Sequence, residues 1–172
     1  MIYFFLILLT IFFSSRADLM YENITGVLIQ PEYRLLTMIY IIFLAWFYGI
    51  KVYRIYKNIN IQRIYKYTIF LTSLIMSIGA ITPYTLNSND FLSNIHVYSS
   101  ILSSLSFLIH LFIYFYYLKS INYNKYHKIF PYYLKGIEFL IILTIVFGRM
   151  NGYIEIIYSI IVSLTLLYLE KK

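Results

Sequence analysis

Ser73-Leu74-Ile75-Met76-Ser77-Ile78-Gly79-Ala80-Ile81-Thr82-Pro83-Tyr84 is an apolar run that closes on a proline, and the polar Asn87-Ser88-Asn89-Asp90 follows it. Ile95-His96-Val97-Tyr98-Ser99-Ser100-Ile101-Leu102-Ser103-Ser104-Leu105-Ser106-Phe107-Leu108-Ile109-His110 then opens a second apolar run that continues past Tyr117. Wound at about 100° per residue, His96, Ser99, Ser100, Ser103, His110, Tyr114 and Tyr117 fall on one helix face, with Ser106 at its edge. A polar stripe inside an apolar span is expected to face protein or a water-filled cavity, because lipid satisfies neither hydroxyl nor imidazole. The stripe is therefore the first candidate for a site.

Composition sets the solvent. Of the 172 residues, 61% are hydrophobic and only 12% charged, and the mean hydropathy is +0.74. A soluble domain carries about 25% charged residues. One small core cannot hide such an excess, so the expected fold class is all-α, an integral bundle in the cell membrane. The net charge of +7 could point to nucleic acid, but the basic residues sit between apolar runs. That placement suits loops lying against anionic headgroups, so membrane lipids are expected as partners and nucleic acid is not. The absence of cysteine excludes disulfides, thiolate metal sites and cysteine nucleophiles.

Six apolar runs cover residues 2–15, 34–50, 67–84, 96–118, 131–147 and 153–169, read as one polytopic domain over 1–172. The first is short for a span of about 20 residues. Ser15-Arg16-Ala17 would suit a signal peptidase, yet no positive charge precedes the run. A cleaved signal and a retained short helix both stay open, and the retained helix is carried forward. Residues 16–33 form a polar connection that includes the triplet Asn23-Ile24-Thr25, a glycosylation sequon by pattern. Lys51, Arg54, Lys57, Arg63 and Lys66 interleave with tyrosines, which could bind RNA but fits a cytoplasmic juxtamembrane loop with an interfacial aromatic belt. In the third run, Ser73, Ser77 and Ala80 make a small-residue face that lets a helix approach closely. Pro131 suits the first turn of the fifth run, and Lys135 and Glu138 are spaced for an i, i+3 pair near its start.

Charge then orients the runs. Placing the loops after runs two and four and the C-terminus in the cytoplasm puts every one of the 14 basic residues there except Arg16, Arg34 and Arg149. Asp18, Glu22, Glu32 and Asp90 fall in the outer connections. About six transmembrane helices with both termini cytoplasmic satisfy every loop.

Candidate chemistry is sparse. His96 and His110 are 14 residues apart, a spacing that resembles the haem-ligating helices of the cytochrome b and ferric reductase families. The remaining histidine, His127, belongs to a cytoplasmic connection, so a haem would need a Met, Tyr or second-subunit ligand. Without haem, His96 reads as interfacial at the outer helix end and His110 as a hydrogen-bonded member of the seam. No cofactor and no metal are expected. Glu138 and Glu155 are the ionisable groups in the later runs, both read as near helix ends. Glu155 is close enough in sequence to Arg149 for an outer ion pair, and His96, Arg149 and Glu155 could form an outer-face site. The candidate ligand-binding set is His96, Ser99, Ser103, His110, Tyr114, Arg149 and Glu155. HExxH, GxSxG, phosphate-loop and paired-aspartate protease signatures are missing. A serine nucleophile with His110 as base is conceivable, with Ser103 and Ser106 a turn away.

The segment Ser77-Ile78-Gly79-Ala80-Ile81-Thr82-Pro83-Tyr84, a short outer loop, and Ile95-His96-Val97 opening the next helix resemble the DRAM-like (autophagy-modulator-like) proteins and related small bacterial six-helix membrane proteins. That resemblance implies a six-helix integral membrane protein acting on lipids or partner proteins, and carries over only Gly79 and His96. The leading expectation is a non-enzymatic polytopic membrane protein whose polar seam packs internally, binds lipid, or docks a protein partner or second copy. The first alternative is a transporter subunit similar in size and topology to the substrate-binding subunits of vitamin-uptake transporters. Those present an alanine-spaced first helix, whereas Ile2-Tyr3-Phe4-Phe5-Leu6-Ile7-Leu8-Leu9 has no alanine. The second is an intramembrane redox or hydrolytic enzyme built on His96 and His110.

Overall fold

A computed structural model describes residues 1–83 and 90–171 of the chain. It is all-helical: α1 (Ile2–Ser14), α2 (Ile24–Val27), α3 (Pro31–Asn58), α4 (Arg63–Ile81), α5 (Phe91–Ile121), α6 (Tyr123–Phe147) and α7 (Gly152–Glu170), with no strand among the described residues. The five helices α3 to α7 are long and apolar enough to cross a membrane. At about 1.5 Å per residue, α1 reaches only about 20 Å. The polar loop Asn87-Ser88-Asn89 and the end of the third run, Tyr84, lie outside the described residues.

The helices outrun the apolar segments at their basic ends. Lys51, Arg54 and Lys57 lie on α3, Lys66 on α4, and Lys125, His127 and Lys128 on α6, not in loops. The backbone satisfies its own hydrogen bonds in a helix whatever the side chains prefer, and Lys, Arg, Tyr and Ile all tolerate it. Hence Pro131 sits inside α6, not in its first turn. Glu138 moves with it, from near a helix end to mid-helix. Its expected pairing with Lys135 is not made, and both side chains are exposed.

The chain divides into two compact units, residues 34–123 and residues 1–33 with 124–172. In the first, α3 ends at a tight turn in which Asn60 takes a left-handed conformation (φ 53°) and Ile61 N–H reaches back 3.2 Å to the Tyr56 carbonyl. That is the hydrogen-bond pattern of a Schellman stop, with Ile61 buried as its apolar partner. The core of the unit is a stripe along α3, Tyr40, Leu44, Tyr48, Val52 and Ile55, with Ile69 of α4 and Phe107, Leu111 and Phe115 of α5. Tyr48 meets the edge of Phe107, with ring centroids 6.1 Å apart. The small face of α4 does its expected work. Ser73, Ser77 and Ala80 are buried, and Ser73 Oγ donates to the Ala45 carbonyl of α3 at 3.0 Å. A Cβ on Gly49 would collide with Ser73 Oγ, so glycine is what allows α3 this close.

In the second unit α1 lies antiparallel on α7. The Tyr3 hydroxyl donates to the Glu170 carboxylate at 2.8 Å, and Thr10 Oγ1 and Ser159 Oγ are 2.9 Å apart. The N-terminal end of α1 and the C-terminal end of α7 therefore meet. Lys125 Nζ of α6 holds the end of α7, donating to the Leu169 carbonyl at 2.7 Å and the Lys171 carbonyl at 2.5 Å, where a cation also complements the negative helix end. On α6, Gly136 faces Ile161 of α7, whose side-chain atoms would stand 3.0–3.2 Å from an added Cβ.

Candidate functional site

The polar stripe of α5 faces inward as its spacing requires. Ser93, His96, Ser103, His110 and Tyr114 are buried, and Ser99, Ser100, Ser106 and Tyr117 are half-buried. Asp90 caps the helix by accepting the Ser93 N–H at 2.6 Å. Each group along the stripe has a neighbour within the unit of α3, α4 and α5.

At the upper end, the ring of His96 is almost wholly buried, not interfacial. Its Nδ1 lies 3.2 Å from the Thr82 carbonyl, which can only accept, so Nδ1 carries the proton. The ring also reaches the Gly79 carbonyl. His96 thus fastens α5 to the last turn of α4. Gly79 permits that contact: a Cβ there would stand 3.2 Å from both Ser100 Oγ and Ser99 Cβ.

Midway, Ser103 Oγ donates back to the Ser99 carbonyl at 2.7 Å, and Ser106 Oγ lies 2.7 Å from Thr72 Oγ1 on α4. Thr72 in turn reaches the Thr68 carbonyl at 3.0 Å. Below them, the Tyr56 hydroxyl donates to the His110 carbonyl at 2.7 Å and lies 2.8 Å from His110 Nδ1. The imidazole also reaches the Thr68 carbonyl of α4. The Tyr56 ring stacks on Tyr114 with centroids 6.4 Å apart. His110 is therefore engaged by a tyrosine of α3, while Ser103 and Ser106 are engaged elsewhere. The serine–histidine dyad contemplated from the sequence is not assembled.

Arg149 and Glu155 belong to the other unit. Their expected ion pair is replaced by two separate contacts. The Arg149 guanidinium stands 5.1 Å from the Tyr21 ring centroid, and the Glu155 carboxylate accepts the Ile24 N–H at 2.6 Å. The polar connection owes this to an unforeseen element, the single-turn α2, whose Ile24 and Val27 are buried together with Leu28 just after it. Asn23 caps α2, accepting the Thr25 N–H at 3.2 Å and the Thr25 hydroxyl. The sequon is thus a capping motif with its threonine buried. Asn151 caps α7 and donates to the Met20 carbonyl at 3.3 Å, and Gly152 N–H donates to the Glu22 carbonyl at 2.7 Å. Leu19 packs so near that a Cβ on Gly152 would meet its Cδ2 at 2.7 Å. Residues 17–29 are in effect folded down onto the start of α7.

Tyr56 is the residue that sequence reasoning missed, placed in a loop with an aromatic belt. The signal was present. Tyr48, Val52 and Tyr56 repeat every four residues, so continuing the α3 stripe past Ile50 puts Tyr56 in the core. Among the described residues no group of three or more histidine and acidic side chains is gathered as metal ligands. No protein-family model matches the chain, and no curated protein or solved structure does.

Proposed function

We propose that the chain is a non-enzymatic polytopic protein of the cell membrane, with six helices crossing and both termini cytoplasmic. Its α4–α5 seam holds helices together, and its outward apolar faces meet membrane lipids. The observation that carries this reading is the engagement of the stripe's side chains by neighbours in their own unit: Tyr56 with His110, Thr72 with Ser106, His96 with Thr82. A catalytic or transport site needs polar groups directed at a ligand, and hydroxyls donating to carbonyls one turn back are the usual packing state of serine in such helices.

The contact of Tyr3 with Glu170 supports termini on one side, and the basic ends of α3, α5 and α7 support the cytoplasmic side. The DRAM-like resemblance, carried by Gly79 and His96, implies the same kind of protein. The deciding experiment is a native mass spectrum, with an absorbance scan, of protein extracted gently from its own membrane. A bare chain or one carrying ordinary lipid supports the packing reading. A stoichiometric small molecule turns the stripe into a ligand site. A Soret band assigns His96 or His110 to haem.

A further inference from the structure

Between Lys128 and Arg149 the only charged residues are Lys135 and Glu138. At about 1.5 Å per residue, Glu138 stands about 15 Å along α6 from Lys128 and about 14 Å from Phe147. That is the middle of a hydrocarbon core about 30 Å thick. Both side chains are exposed, and neither has an ion-pair partner among the described residues. The inward face of α6 is a different one, marked by buried Tyr133 and Leu140 and by Gly136 against Ile161. Lys135 and Glu138 share the opposite face with Ile142 and Ile145, which are 56% and 75% exposed. The steps along this stripe are three, four and three residues, the a/d spacing of a left-handed helix pair.

Lipid offers no counter-charge at mid-depth, so an acid and a base there call for protein or trapped water. The stripe is self-complementary. In two parallel copies of α6 related by a two-fold along the membrane normal, Lys135 of each copy is three residues, about 4.5 Å of rise, from Glu138 of the other. The four charges sum to zero, and Ile142 and Ile145 continue the contact as apolar layers. We propose that this stripe is a homodimer seam, α6 against α6 of a second copy, registered by Lys135 and Glu138.

The inference rests on α6 spanning the membrane, so that is read first: the chain must stay in the membrane pellet after alkaline carbonate. Loss from the pellet overturns the span and the dimer with it. The chain has no cysteine, so single cysteines report alone. Ile142→Cys and Ile145→Cys, oxidised in native membranes, are expected to give a covalent dimer, and Thr144→Cys, on the far side of the helix, only monomer. Lys135→Glu and Glu138→Lys should each lower the Ile142→Cys crosslink severalfold, and combining the two should restore it. Monomer at both seam positions in a pelleted protein overturns the dimer. So does a crosslink to some other protein, or equal crosslinking at Thr144→Cys.

Discussion

The hydroxyl of Tyr56 on α3 bridges the imidazole and the backbone carbonyl of one residue, His110 on α5, at 2.8 and 2.7 Å. The bridge ties α3 to α5, with the Tyr114 ring stacked on Tyr56 and the Thr68 carbonyl of α4 also reached by the imidazole.

Removing the tyrosine hydroxyl leaves His110 Nδ1 buried without that partner. Tyr56→Phe is therefore expected to cost about 1–3 kcal/mol, the usual penalty for orphaning a buried polar group. His110→Leu keeps the backbone carbonyl to which Tyr56 donates and removes only the imidazole contact, so it should cost less, through Tyr56 and not through Ser103 or Ser106. Thermal unfolding in detergent checks both, and the double variant should lose much less than the sum. Unchanged melting of both single variants would remove the packing role from the seam.

Gly49 is the second test of close packing. Gly49→Ala places a methyl where Ser73 Oγ sits, and overpacking of this kind costs about 1–3 kcal/mol. Ser73→Ala removes the obstructing atom, so it should recover part of that loss in the double variant. Equal melting temperatures for Gly49→Ala and the unaltered protein would mean that α3 and α4 shift apart freely.

The fold of residues 17–29 depends on Glu155. Glu155→Gln keeps an acceptor for the Ile24 N–H and should change little. Glu155→Leu leaves that N–H without one, at about 1–3 kcal/mol. Hydrogen exchange read by mass spectrometry should show faster exchange across 23–28 in Glu155→Leu alone. Fast exchange of this segment in the unaltered protein would contradict a fixed α2.

Expression in a glycosylating host provides a third probe of that segment. Asn23 should stay unmodified once folded, because the Thr25 hydroxyl that the transferase must recognise is buried against Asn23 itself. A glycosidase-sensitive mass shift would show that the segment stays open long enough to be modified.

The first helix should remain in the mature protein. Cleavage after Ala17 would strip Ser159 and Glu170 of Thr10 and Tyr3, and would uncover the face of α7 that α1 buries. The intact mass of chain isolated from the membrane is expected to include residues 2–14. A mass beginning beyond residue 17 would restore the signal-peptide reading.

Composition and periodicity alone determined the helical class, the apolar runs, the inward face of α5 and the small-residue face of α4. Each of these follows from local rules: a backbone in lipid must bond to itself, and one helical face repeats every three to four residues. What they could not determine is which groups meet. Tyr56 and His110 are 54 residues apart in the chain, and Glu155 and Ile24 are 131 apart, so only the folded backbone brings them within hydrogen-bond distance. The single turn of α2 escaped notice because four residues carry no readable period, and it is held by tertiary contacts with α7. The mid-helix position of Glu138 was hidden for the opposite reason. Hydropathy marks where an apolar run ends, whereas a helix ends where its backbone bonds do, and in α6 those two limits are eight residues apart, at Pro131 and Tyr123.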